Sequence, residues 1–288
     1  NRVSTFFAHS STLEMVWTAV PTVVLIFLVV RGLNVWNTVM PDVGPDDEYI
    51  EIEAPGYQFA WDLRYPGPDG KLGTKNYKLI NTATNPLGQD WTDSKNHDDF
   101  LPTEIVLPVG QKVRVRITAK DVLHNFYLPH FRVKMDAVPG LPTYFIFTPI
   151  RTTEEYRKEL SQYPEWQVPA DPSEPDGPQR WELFNYELAC AELCGKGHFS
   201  MRRVVRIVEP EEYEAWLAEQ SSYYMSNVRN TENDPLLGQL LDVEIVERNK
   251  ELEAEVEAAL SDEEAINTIR LKNVFFQTGS AALEENSR

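Results

Sequence analysis

The stretch Cys190-Ala191-Glu192-Leu193-Cys194-Gly195-Lys196-Gly197-His198-Phe199-Ser200-Met201 places two thiols, an imidazole and a thioether within twelve positions. Cys190 and Cys194 are the only cysteines of the chain, and His198 is one of its five histidines. Soft sulfur donors joined by imidazole select copper or zinc, whereas carboxylate and carbonyl sets suit magnesium or calcium. Thioethers are poor zinc ligands, so Met201 tilts the choice to copper. Gly195 and Gly197 allow the backbone to wrap tightly enough for spaced side chains to converge. The plainer alternatives are a local disulfide, or two buried thiols packing as small apolar residues. A disulfide closing so short a loop would stabilise little and risk strain, and it would leave His198 and Met201 unexplained. With a second imidazole from elsewhere in the chain, two bridging thiolates could hold two coppers that share one electron.

Ligands converging from loops need a rigid frame, and the flanking sequence reads as strands. Tyr49-Ile50-Glu51-Ile52-Glu53 and Gln111-Lys112-Val113-Arg114-Val115-Arg116-Ile117 alternate with period two, and Arg203 to Val208 does so more loosely. Short alternating runs between Pro and Gly turns predict an antiparallel sandwich or barrel. Periodicity alone says no more than all-β. Two polar stretches, about 66–100 and 151–180, read as insertions. Glu209-Pro210-Glu211-Glu212-Tyr213-Glu214-Ala215-Trp216-Leu217 carries Pro and acids at a helix start, and Leu252 to Leu260 reads as an acidic helix on a solvated linker.

Met15 to about Thr38 is the one membrane-like segment. A spanning helix needs about 20 mostly apolar residues, and this run qualifies if Arg31 snorkels to the interface or pairs with another subunit. Trp17 and Trp36 near its ends suit membrane interfaces. Pro21 is expected to kink the first turns or to mark the helix start. The formal charge of -18 over 288 residues argues against nucleic-acid binding and for a basic protein partner. No secretory signal with a cleavage site opens the chain.

The pattern Cys190-x-Glu192-x-Cys194-x-x-x-His198-x-x-Met201, with Asp121-Val122-Leu123-His124 and Lys134-Met135-Asp136-Ala137-Val138-Pro139-Gly140, resembles subunit II of the haem–copper respiratory oxidases. That subunit holds the dinuclear copper centre called CuA, and the similarity runs over about residues 10–218. The resemblance implies a mainly β, cupredoxin-like Greek-key sandwich behind an N-terminal transmembrane helix. It implies that Cys190 and Cys194 bridge the two coppers and that His124 and His198 cap one each. Met201 and the backbone carbonyl of Glu192 would complete the set, with the Glu192 side chain toward a magnesium site shared with subunit I. No haem is expected on this chain. Gly56-Tyr57-Gln58-Phe59-Ala60-Trp61 resembles the family's aromatic segment, whose first Trp receives electrons from cytochrome c. Phe59 stands at that position and Trp61 at the second, so the expected electron-uptake residues are Phe59 and Trp61, with an altered docking geometry. Glu14-Met15-Val16-Trp17-Thr18 resembles the family segment whose Glu sits at a proton-uptake channel of subunit I, which makes Glu14 a candidate for proton uptake.

Three parts are expected: 1–45, a transmembrane helix (the second of the family's usual two) and linker; 46–218, the copper domain; and 219–288, an acidic extension. Ile269 to Ala281 within that extension resembles the first strand of an outer-membrane-protein-A-like domain. The chain opens at Asn1 without an initiator Met, so residues upstream are expected. The implied setting is a bacterial inner membrane with the copper domain in the periplasm. The implied partners are oxidase subunits I and III, a cytochrome c or a cytochrome c domain, and a respiratory supercomplex, in place of nucleic acid. The implied activity is acceptance of electrons from cytochrome c and their delivery to haem in subunit I, for oxygen reduction coupled to proton pumping. Two rivals remain: a quinol oxidase subunit II lacking copper, and a membrane-tethered copper-binding or cell-wall-anchoring protein.

Overall fold

The computed structural model describes residue 6, residues 8–44 and residues 47–261. The Ile269–Ala281 resemblance therefore lies outside the described residues. The chain divides between Glu48 and Tyr49 into two compact units.

The first unit is one helix, α1, Ser11–Val39. Ser10 caps it, its side chain accepting from the Leu13 N–H at 3.5 Å, and Glu14 sits in the first turn, where a carboxylate favours the helix dipole. At 1.5 Å per residue it is about 43 Å long, enough to cross a hydrocarbon core of about 30 Å. Its mean hydropathy reaches 2.2, and none of its residues is buried within the chain. The apolar residues go all the way round the helix, so they would all meet lipid or another subunit. Of the two roles expected for Pro21, it does not have that of helix start. It lies inside the helix, which begins ten residues earlier.

Among its described residues the second unit has nine strands: β1 Ile50–Tyr57, β2 Ala60–Trp61, β3 Ile105–Pro108, β4 Val113–Ala119, β5 His124–Leu128, β6 Val133–Ala137, β7 Thr143–Phe147, β8 Tyr186–Cys190 and β9 Arg202–Val208. They form two sheets, ordered β2-β1-β4-β7 and β3-β9-β8-β5-β6. The predicted antiparallel arrangement holds for most pairs, but β1 with β4 and β3 with β9 are parallel. Neither parallel pair is consecutive in sequence. Chain that leaves one sheet and returns to it can align with its neighbour in the same sense, as cupredoxin-like Greek-key sandwiches require.

Strand β4 shows the expected alternation: Val113, Val115, Ile117 and Ala119 point inward while Arg114 and Arg116 are half-exposed. Val113, Val115 and Ile117 pack with Ile52, Phe126 and Leu188 in one contiguous core. Strand β1 breaks the alternation, because Glu53 is as buried as its apolar neighbours. The 66–100 insertion covers its outer face. Glu53 meets Arg64 Nη1 at 2.9 Å and Lys75 Nζ at 2.7 Å, and Arg64 also binds Asp99, the Asn96 side chain and the Gly73 carbonyl. Burial alone would raise Glu53, but Lys75 and Arg64 outweigh it and hold the carboxyl below its usual range.

The helices follow the sheets. α2, Thr153–Leu160, opens the 151–180 insertion with a capping box between Thr152 and Glu155. α3, Pro210–Ala218, is the expected short helix after β9. The chain beyond it departs from expectation. Instead of leaving as a solvated linker, residues 222–244 fold onto the 66–100 insertion and build a second small core. Tyr224 is fully buried there, stacked on His97 with centroids 4.7 Å apart and packed against Trp91. Helix α4, Tyr223–Asn227, starts from a Ser222 cap, and the Tyr223 N–H donates to the Asp99 carbonyl at 2.9 Å. Arg229 then pairs with Asp234 at 2.7 Å and Glu244 at 2.8 Å, fastening the start of α5, Asp242–Ser261. The acidic helix expected at Leu252–Leu260 is part of α5.

Candidate metal centre

Cys190 is the last residue of β8, and β8 pairs with β5 so that Phe126 lies opposite Cys190. That pairing carries His124, the first residue of β5, to the metal loop across 66 residues of sequence. The loop itself is short and closed by its own backbone. His198 N–H donates to the Gly195 carbonyl at 3.1 Å, and Cys190 N–H donates to the Met201 carbonyl at 3.2 Å. Cys190, Cys194 and Met201 belong to the main hydrophobic core, and the His124 ring is fully buried.

The donors converge. Cys190 Sγ lies 4.0 Å from Cys194 Sγ, 3.9 Å from His124 Nδ1 and 3.2 Å from the Glu192 carbonyl oxygen. Cys194 Sγ lies 3.6 Å from His198 Nδ1 and 3.3 Å from Met201 Sδ. Both cysteines are free, and their separation is about twice the S–S bond length of about 2.05 Å. Ligating atoms of His124, Cys190 and Cys194 fall within 4.8 Å of one another, a spacing one ion could bridge. Burial pushes the Cys194 thiol up to about 11, and the neighbouring Cys190 adds to the rise. A soft cation would offset that burial cost by holding the sulfurs as thiolates. Sulfur and imidazole donors in a dry pocket fit copper.

Two residues that the sequence reading left without a role support this cluster. Asp121 Oδ1 is 2.8 Å from His124 Nε2, so the ring donates there and turns its Nδ1 lone pair toward Cys190. A ligating His three residues after an Asp is a signal that could have marked this partner. Gln58 holds Asp121 and the Cys194 carbonyl, and no short sequence pattern announces that. Glycine matters at two positions for lack of room. A Cβ on Gly56 would lie 3.2 Å from the His124 ring and 2.9 Å from Trp61, and one on Gly197 would lie 2.4 Å from the Phe59 ring.

The structure separates the two aromatics expected at electron uptake. Phe59 lies over the metal loop and is 37% exposed, while Trp61 is 1% exposed. Trp61 packs edge-on to His124 at 6.1 Å and to Phe126 at 5.8 Å. Only Phe59 can touch a docking partner directly. Leu193 and Phe199, at 81% and 80% exposure, add apolar surface on the metal loop. The Glu192 side chain is exposed, and Glu14 belongs to the first turn of α1.

Residues 50–156 match the family model described as cytochrome c oxidase subunit II, periplasmic domain, and residues 1–35 match that of its transmembrane domain. The first match takes in His124 and stops short of the cysteine loop. Among curated relatives, the alternative cytochrome c oxidase subunit 2 of Bradyrhizobium diazoefficiens is 35% identical over 69% of this chain and 60% of its own length. Cytochrome c oxidase subunit 2 of Cereibacter sphaeroides is 30% identical over 79% of this chain and 68% of its own length. The chain thus spans under two thirds of the first relative. Among solved structures, the periplasmic domain of subunit II of cytochrome oxidase from Bradyrhizobium japonicum is 26% identical, covering 61% of this chain and 95% of that one, at a TM-score of 0.36.

Proposed function

The chain belongs to the cytochrome c oxidase subunit II family, and from that membership we propose that it is the copper-bearing subunit through which a haem–copper oxidase takes electrons from a cytochrome c. The family's transmembrane and periplasmic models fall on α1 and on the β unit in turn, which fits an inner-membrane protein with its β unit in the periplasm.

One observation carries the reading: His124 reaches the Cys190–Met201 loop, with its Nδ1 3.9 Å from Cys190 Sγ. Cys190, Cys194, His124 and His198 would hold the copper, with Met201 and the Glu192 carbonyl as weaker donors. A copper pair held there would store and release single electrons with little change in geometry. The protein supplies the rest. Met201 and the buried sulfurs keep water out, Asp121 holds the His124 ring, and Phe59 offers the surface contact above the loop. Trp61 acts from below, as packing for His124.

The partner subunit I would receive the electrons at its haem for oxygen reduction and proton pumping, with subunit III beside it. The exposed Glu192 carboxylate is the candidate for a magnesium ion shared with subunit I, and Glu14 for proton uptake. The division into 1–45, 46–218 and 219–288 stands as part of this proposal. A quinol oxidase subunit would have no need of two thiols and two imidazoles meeting in one pocket, and a plain copper carrier would have no need of a spanning helix matched to an oxidase subunit.

The test is copper stoichiometry with electron-spin-resonance spectroscopy on the full chain. Two coppers sharing one unpaired spin are expected, and His124→Ala should abolish that signal while the far-ultraviolet circular dichroism of the β unit stays. A spectrum unchanged in His124→Ala removes this residue from the donor set. Wild-type protein with one ordinary copper, or none, sinks the reading.

A further inference from the structure

Gln58 sits in the turn between β1 and β2, on neither of the segments that carry the donors, yet it binds both. Its backbone N–H donates to Asp121 Oδ2 at 2.8 Å, and the other oxygen of that carboxylate meets His124 Nε2 at 2.8 Å. Its side-chain Nε2 donates to the Cys194 carbonyl at 2.6 Å. Phe59, the next residue, lies against Gly195 and Gly197 of the same loop. One residue thus spans from the loop before β5 to the loop between β8 and β9, separations of 63 and 136 positions.

We propose that Gln58 is a positioning residue that sets the register between His124 and Cys194, and through it the balance of charge between the two coppers. The inference rests on the copper reading above. Donors on separate loops can shift against one another by tenths of an ångström, and β5–β8 pairing restrains only the strand ends. A residue hydrogen-bonded at its backbone to one donor's partner and at its side chain to the other donor's carbonyl removes that freedom. Outer partners of this kind orient ligands, and losing one typically costs about 10–100-fold in metal affinity. Gln58 is exposed, so replacing it opens no core cavity, and its effect should appear at the metal instead of in the fold.

The experiment loads the full chain with copper alone, in wild type, Gln58→Leu and Gln58→Glu. Glu keeps the length of Gln but at neutral pH brings a carboxylate, with no N–H, against the Cys194 carbonyl. Both variants should lose copper to a competing chelator about 10-fold more readily, and their spin-resonance hyperfine pattern should move toward two unequal coppers, with circular dichroism unchanged. If both variants match wild type in affinity and spectrum, Gln58 sets nothing. If Gln58→Glu matches wild type and Gln58→Leu does not, side-chain shape accounts for the effect and the donated hydrogen bond does not. Should the Gln58 variants fail to fold, Asp121→Asn provides a second reading. The carboxylate accepts from Val122 and His124 at Oδ1 and from Gln58 at Oδ2, and the single amide oxygen of Asn cannot serve both sides, so the same spectral shift is expected, and an unchanged spectrum overturns the proposal. A wild-type chain that shows no shared spin removes the copper reading itself, a result separate from anything the variants do.

Discussion

Phe59 and Trp61 stand two residues apart on one hairpin and have different environments. Trp61 fills the space beneath His124 and Phe126, and Phe59 stands at the surface over the metal loop. Large-to-small changes of a buried aromatic cost about 3–5 kcal/mol, so Trp61→Ala should lower the thermal midpoint of the protein by many degrees even before copper is added. Phe59→Ala should leave that midpoint nearly unchanged and instead raise the KM for cytochrome c, read by steady-state oxidation of reduced cytochrome. Equal stability loss in the two variants would place Phe59 in the core, against its exposure. The motif residues Cys190, Cys194, His198 and Met201 were legible in the sequence because their chemistry is rare and their spacing local, whereas His124, 66 residues from Cys190, was singled out only by the family resemblance of its Asp-Val-x-His segment. Gln58 stood within the aromatic segment, but its role was not legible, because an amide in a turn does not show what it binds until its two distant partners are in place.

At the scale of elements, the segment from Ser222 to Glu244 is the piece whose sequence misleads. Its charges suggest a solvated tail, yet Tyr224, Val228 and Leu241 bury themselves against Trp91 of the insertion. Asp234 fastens it: burial alone would raise its pKa, but the Tyr224 hydroxyl, the Asn230 N–H and Arg229 together hold it well below the usual carboxylate range. A depressed acid stabilises the folded state above its unfolded value of about 3.9 and loses that contribution as pH falls through its folded value. Glu244 is lowered too, and burial opposes the shift while Arg229 drives it. Acidification from pH 5 toward pH 2 should therefore release residues 222–244, seen as hydrogen exchange at Tyr224 and Leu241. Asp234→Asn should already be loosened at pH 6 and show a flatter acid profile. If the variant tracks wild type at every pH, the ion pair is not what holds this segment.

For the whole molecule, net charge is the quantity that acts at a distance. At -18, the chain should steer a basic cytochrome toward it, and salt should weaken that steering. The Debye length shortens from about 30 Å at 0.01 M to about 8 Å at 0.15 M, so association should slow by about tenfold or more over that range. A stopped-flow rate that ignores salt would mean that the apolar surface at Phe59, Leu193 and Phe199 governs docking by itself. The sequence alone determined the spanning helix, the β character and the cluster of soft donors from Cys190 to Met201, because apolar run length, period-two alternation and sulfur–imidazole spacing are local properties of a chain. Tertiary structure decided what the rest does: that β8 lies beside β5 and so brings His124 to Cys190, that Gln58 reaches both donor loops, and that the acidic extension folds back on the insertion. Those contacts join residues far apart in sequence, and their free energy comes from shared burial and paired hydrogen bonds, which exist only once both sides are in place.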